Sequence, residues 1–251
     1  MTNDMQQIAT LLLQKRDGKG DFGEISHLNG RECSKAVANQ FLICCLLDFQ
    51  QDADVAWEKG AALVKALGGA EGIWYAINAH SKGEWESRYE EFGKPHRFHW
   101  AYTRIWGIAN AICARYDGDA RNIWHGRSPY DALVHLRAVG AGDQISGMIV
   151  GALRESGQIQ GATGDVKADV HVRRVLGRAI FGDEVEDVDA AKIIELPRQL
   201  HSADPWQLDW PLWNLGRSNC HQTNPDCKQC YLRIHCAYHR KHSDTSVMTP
   251  S

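Results

Sequence analysis

The chain has 251 residues, 43% of them hydrophobic and 24% charged, which supports one large or two small cores under a soluble surface and excludes global disorder. No apolar stretch, Phe41 to Leu47 included, approaches the ~20 residues of a membrane span, and the polar start MTNDMQQ lacks a signal-peptide pattern, so a cytoplasmic protein without a membrane segment is expected. With 28 basic and 31 acidic residues the net charge is -3, and a nucleic-acid partner finds no support in overall charge.

Helical spacing dominates and alternating patterns are scarce, so an all-α protein is predicted. In chain order the expected helices are Ser34 to Phe49, Ala53 to Leu67, His99 to Arg115, Pro129 to Arg137, Gln144 to Glu155, His171 to Phe181 and Asp189 to Leu200. They are punctuated at Gly68-Gly69, Gly93-Lys94-Pro95, Gly118 and Gly182. Ser128-Pro129 and Asp204-Pro205 read as helix starts, a capping side chain followed by proline in the opening turn. Residues 69–98, rich in Trp, His, Glu and Lys, read only as a variable helical connection. Charge is uneven toward the C-terminus. Arg217, Lys228, Arg233, Arg240 and Lys241 face Asp226 alone, just beyond an acidic block of Asp183, Glu184, Glu186, Asp187 and Asp189. Taken on charge alone, both are ordinary solvated faces.

The eight cysteines fall into two groups. Cys33, Cys44, Cys45 and Cys113 are scattered, and the pair inside FLICCLL is expected in the core, where a free cysteine behaves as a small hydrophobe. Cys220, Cys227, Cys230 and Cys236 are spaced C-x6-C-x2-C-x5-C. Structural disulfides rarely persist in a cytoplasmic protein, and four thiolates on one loop repel one another unless a cation gathers them, so metal is expected. Both tetrahedral zinc and a cubane iron-sulfur cluster accept four thiolates. The single C-x2-C pair between unequal outer spacings favours the cluster over the paired knuckles of a zinc ribbon.

This spacing, preceded by Leu215-Gly216-Arg217, resembles the [4Fe-4S] loop of the helix-hairpin-helix DNA glycosylases, in the endonuclease III and adenine-glycosylase branch. The resemblance runs from about Asn39 to Tyr238. It implies an all-α fold of two domains with a DNA cleft between: residues 1–33 and 168–243 as a cluster domain, 34–167 as a six-helix barrel carrying the hairpin, and 244–251 as a disordered tail. A monomer acting on double-stranded DNA with a flipped base is the implied assembly.

Three further segments carry the implied chemistry. Gly140-Ala141-Gly142, between two helical patterns, resembles the family's hairpin, whose amides bind DNA phosphate; Val139 replaces the usual preceding proline. Taken alone, this G-x-G also fits an ordinary turn between helices. Ala168-Asp169-Val170-His171-Val172-Arg173-Arg174-Val175 resembles the family's V-D-T-H-x-x-R-V segment, with Val170 in place of threonine. Asp169 is thereby implied as catalytic, since a carboxylate stabilises an oxocarbenium-like sugar and orients or deprotonates water. The same residue also reads as a helix N-cap, and the two roles are compatible. Where bifunctional members place a Schiff-base lysine this chain has Gln144, and an amide cannot form an imine.

Leu46-Leu47-Asp48-Phe49-Gln50-Gln51-Asp52 resembles the family segment whose glutamine fills the hole left by a flipped base. Gln50 is the better match and Gln51 the second. Asp48 and Asp143 are candidate pocket carboxylates, although surface placement suits Asp143 better, and Arg217 joins the DNA-contacting set. Small residues Gly142, Ser146 and Gly147 suggest room for a bulky, even phage-modified, base. The expected activity is a monofunctional DNA N-glycosylase with a [4Fe-4S] cluster, in base excision repair or in defence. The alternative is a non-catalytic iron-sulfur DNA-binding or redox-sensing protein.

Overall fold

A computed structural model describes residues 2–16, 23–88, 90–161, 164–183 and 190–243. Among these no strand occurs, and the helices are α1 (Asn3–Gln14), α2 (Lys35–Leu47), α3 (Ala53–Ala66), α4 (Ile73–Asn78), α5 (Lys82–Ser87), α6 (Trp100–Tyr116), α7 (Arg121–Trp124), α8 (Pro129–Ala138), α9 (Asp143–Glu155), α10 (Val170–Leu176), α11 (Ala190–Leu200), α12 (Asp209–Ser218) and α13 (Ala237–Ser243). Short 3-10 segments lie at Gly23–His27 and Pro205–Leu208, and a π turn at Gly177–Phe181 follows α10. The expected tail 244–251 and most of the acidic block, 184–189, lie outside the described residues.

The chain divides into two compact units, residues 20–161 and residues 1–19 with 162–251. These limits differ from the expected 33 and 167, most notably because residues 23–33 pack in the first unit. The Gly23–His27 segment meets α2 and α9, and Gly30 N–H donates to the Ser156 carbonyl at 2.6 Å. Gly30 turns at φ +84, and a Cβ on Gly157 would come within 2.8 Å of the Gly30 backbone, so this approach requires glycine.

In the first unit, Ser34 caps α2 by accepting from Val37 N–H at 3.2 Å, as Ser128 caps α8. Phe41, Leu42, Ile43, Cys44, Cys45, Leu46 and Leu47 are all buried, so α2 is wrapped on every side and its two thiols are core. Asn39, wholly buried on the same helix, accepts from Trp74 Nε1 at 2.8 Å and Ala120 N–H at 2.9 Å and donates to the Gly118 carbonyl at 3.2 Å. The stretch read only as a helical connection contains α4 and α5, which anchor it by inserting Trp74 and Trp85 into the core.

The second unit gathers Ile8 and Leu12 of α1, Val172 and Leu176 of α10, Ile193 of α11 and Leu212 and Leu215 of α12 into one apolar cluster. Helix α1 is not among those expected, because its sequence opens with polar NDMQQ and buries only Ile8, Ala9 and Leu12. The helix expected from His171 to Phe181 keeps regular α geometry only to Leu176. Helices α10 and α12 touch closely: a Cβ on Gly216 would stand 2.6 Å from His171 Cβ.

Candidate functional site

In the second unit, Asp169 is the N-cap of α10, with Oδ1 accepting from both His171 and Val172 N–H at 2.9 Å. No hydrogen bond engages Oδ2 among the described residues. One carboxylate oxygen therefore caps the helix while the other stays available to a substrate or water. Burial holds the His171 imidazole below its ordinary pKa, the Asp169 charge pulling the other way. His171 Nδ1 pairs with Arg174 Nη2 at 3.0 Å, and Arg174 also donates to the Gly216 and Cys220 carbonyls at 2.9 and 2.6 Å. His171 and Arg174 thus tie α10 to the end of α12 and the loop after it.

Beside His171, two residues on from Asp169, lies an aromatic face that the sequence did not single out. Trp213 meets the His171 ring edge-on at 6.3 Å, Trp210 lies 5.1 Å from Trp213, and the Arg217 guanidinium covers Trp213 at 4.7 Å. Residues 210, 213 and 217 share one face of α12 because they are three and four apart, a spacing visible in the sequence once the helix is known. Both indoles remain half-buried, flat surfaces of the kind on which a base stacks.

The four C-terminal cysteines are half-buried free thiols on the loop between α12 and α13. Burial pushes the Cys230 thiol up to about 11, with Cys236, Cys220 and Cys227 adding to the rise. Cys227 and Cys236 are raised for the same two reasons, burial first. Among the described residues no group of three or more His, Cys, Asp or Glu takes up metal-ion geometry. The donor set nonetheless fits a cationic group: the charges of Cys236, Cys220 and Cys227 raise Cys230, and Cys220 and Cys236 both meet one buried arginine. Arg178, 2% exposed in the π turn, reaches Cys220 Sγ at 3.5 Å and donates to the His221 and Gln222 carbonyls at 2.6 and 2.8 Å, while Cys236 Sγ meets the Arg178 carbonyl at 3.7 Å. Cys220, Cys227, Cys230 and Cys236 are the residues that would hold a cluster.

In the first unit, Gly140-Ala141-Gly142 forms the turn between α8 and α9. Gly140 adopts φ +105, which favours glycine. Gly142 is the N-cap of α9 and supplies no side-chain cap. Arg104 of α6 braces the turn, donating to the Gly140 carbonyl at 3.1 Å. Gln144 is exposed in the first turn of α9. Asp143 stands 81% exposed and ion-paired with Arg137 at 2.8 Å, on the surface and not in a pocket. Ser146 is wholly buried and donates to the Ala141 carbonyl at 3.2 Å, so it closes the turn instead of making room for a base.

Gln50, exposed, takes φ +48 at the end of α2, whereas Gln51 Nε2 is tied to the Leu47 carbonyl at 2.9 Å. Asp48 is the half-buried C-cap of α2. The loop is set by an aromatic pile that sequence reading also missed. Phe49 stacks on His96 at 3.9 Å and lies 5.0 Å from Trp100, and the Arg104 guanidinium stands 5.7 Å over its ring. His96, wholly buried, has Nδ1 accepting from Phe98 N–H at 3.0 Å, which leaves Nε2–H to donate to the Phe49 carbonyl at 2.8 Å. Burial lowers its pKa and keeps that neutral form. Arg104 thus joins the Gln50 loop to the hairpin within one unit, while Asp169 belongs to the other.

No family model and no curated protein matches the chain. Among solved structures it is similar to endonuclease III in a trapped covalent DNA intermediate with an estranged adenine (TM-score 0.63, 16% identity, 97% of this chain and 100% of that one). It is similar also to endonuclease III in a non-covalent DNA complex (TM-score 0.62, 18% identity, 97% and 100%) and to a thermostable thymine-DNA glycosylase (TM-score 0.64, 15% identity, 95% and 97%). The fold is that of these helix-hairpin-helix DNA glycosylases.

Proposed function

We propose that this chain, built on the helix-hairpin-helix glycosylase fold, is a monofunctional DNA N-glycosylase that hydrolyses the bond between a flipped base and its sugar. One observation carries the reading: Asp169 is fixed at the start of α10 through Oδ1 alone, with Oδ2 outside any bond among the described residues. When the glycosidic bond breaks, its electron pair leaves with the base and positive charge develops at the sugar C1′. The anchored carboxylate stabilises that charge and accepts the proton of the water that bonds to C1′. At the position of the expected lysine, Gln144 supplies no amine, so the product is an abasic site on an intact strand. Gly140, Ala141 and Gly142 hold a phosphate at the open end of α9, and Gln50 occupies the space vacated in the stack.

Base release from a panel of duplexes carrying natural, damaged and modified bases tests this reading. Free base with an alkali-labile strand is the expected result. DNA binding with no base released across the panel would leave the non-catalytic binder instead.

A [4Fe-4S] cluster on Cys220, Cys227, Cys230 and Cys236 would cross-link the loop within the unit that also holds Asp169, a structural contribution. The protein is expected to be brown with about four irons per chain. Cys227→Ser should lose that iron and destabilise the second unit, while Cys113→Ser should keep it. Stoichiometric zinc without iron after anaerobic purification would contradict the assignment.

A further inference from the structure

The end of α6, α7 and α8 enclose an open bowl of about 640 Å³ in the first unit that the glycosylase reading leaves without a role. Cavities of ~300–1,000 Å³ are the size of small-molecule sites. Its lining is rich in cationic and donor groups: Arg115, Arg127, His125 and His135, with Tyr116 between them. Each arginine is steered by a backbone carbonyl and not by an acid. Arg115 Nη1 donates to the Ala138 carbonyl at 3.1 Å and Arg127 Nη1 to the His125 carbonyl at 3.2 Å, and neither has a carboxylate partner among the described residues. A guanidinium has five N–H donors, so one such bond fixes its direction and leaves most of the fork for a ligand. Tyr116 OH and His135 Nδ1 lie 2.7 Å apart, which orients that imidazole. The bowl's carboxylate, Asp117, already accepts from Tyr75 OH at 2.7 Å through Oδ1.

We propose that this bowl is a phosphate-binding site. Two guanidinia aimed by the backbone, flanked by two imidazoles and opposed by a single engaged carboxylate, match the charge and the fork geometry of a phosphate ester. Ala138, which receives Arg115, is the last residue of α8 before the Gly140 turn. The ester can therefore belong to a nucleic-acid backbone continuing past the hairpin or to a free nucleotide. The site does not depend on the chemistry of Asp169.

Titration with AMP by calorimetry, paired with duplex binding over a salt series, tests the proposal and separates the two sources. Wild type, Arg127→Gln, Arg127→Lys and Arg115→Gln with Arg127→Gln are compared, thermal melting confirming that each folds. For a free-nucleotide site, AMP binds the wild type, Arg127→Gln weakens it about tenfold or more, the worth of one charge-assisted bond, and Arg127→Lys recovers part of the loss. For a backbone site, AMP does not bind, and the double variant reduces the slope of log K against log salt by about 0.9 for each phosphate it no longer neutralises. No AMP binding together with an unchanged salt slope overturns the proposal. Both readouts are binding measurements that need no base release, so a failed glycosylase reading would not imitate a failed phosphate site.

Discussion

Two helix starts, those of α9 and α10, carry the proposed chemistry and are built in opposite ways. Helix α9 begins at Gly142 with no side-chain cap, so the positive end of its dipole is open to an anion from outside the protein. Helix α10 begins at Asp169, whose own oxygen takes two of the leading amides. There the leading amides serve an internal carboxylate and fix it in direction. On the proposed reading the same local device serves once to receive a phosphate and once to hold a carboxylate in place, and the residue at the N-cap decides which.

The contrast can be broken at either helix. The largest effect is expected from Asp169→Asn, which preserves size and capping but removes the charge, so single-turnover base release should fall by about 10²- to 10³-fold or more, while duplex affinity in a binding titration stays within about twofold. Next comes Gly142→Asp, which would give α9 an internal anionic cap. Its side chain would meet Arg104 Nη2, about 3.0 Å from a Cβ at this position, and the end of that flexible arginine can move aside. Affinity for every duplex should drop about tenfold or more, alike for all bases, with the melting temperature unchanged or raised. Asp169→Ala removes the cap itself and should cost about 1 kcal/mol in denaturant unfolding, whereas Asp169→Asn should cost little. The smallest effect is expected at Asp143, exposed and, among the described residues, paired with Arg137. Asp143→Asn should change stability by less than about 1 kcal/mol and leave base release intact.

What the sequence made legible was what local rules control. Ser34 and Ser128 announce their helices because a cap acts within three residues, and the FLICCLL run announces the buried α2. Asp169 was legible as a cap and, through the resemblance, as a candidate catalyst. Arg178 was not: in sequence it is one more basic residue near Arg173 and Arg174, and its role depends on its bonds to Cys220, His221 and Gln222 far along the chain. His96, between α5 and α6, was hidden in the same way, since the Phe49 carbonyl that fixes it lies in the loop between α2 and α3, 47 residues earlier. Helix α1 escaped because its apolar face is narrow and its partners, α11 and α12, lie at the opposite end of the chain. Burial of a charge or of a polar ring is a tertiary fact that composition and periodicity do not encode.

The central claim is that Asp169 drives hydrolysis while Gln144 leaves the strand uncut. Incubating wild type and Asp169→Asn with an end-labelled substrate duplex, with and without alkali and with borohydride, tests it most directly. The account predicts wild-type strand breaks only after alkali, little borohydride-trapped complex, and almost no breaks with Asp169→Asn under either condition. Strand cleavage without alkali together with efficient trapping, or undiminished base release by Asp169→Asn, would contradict it.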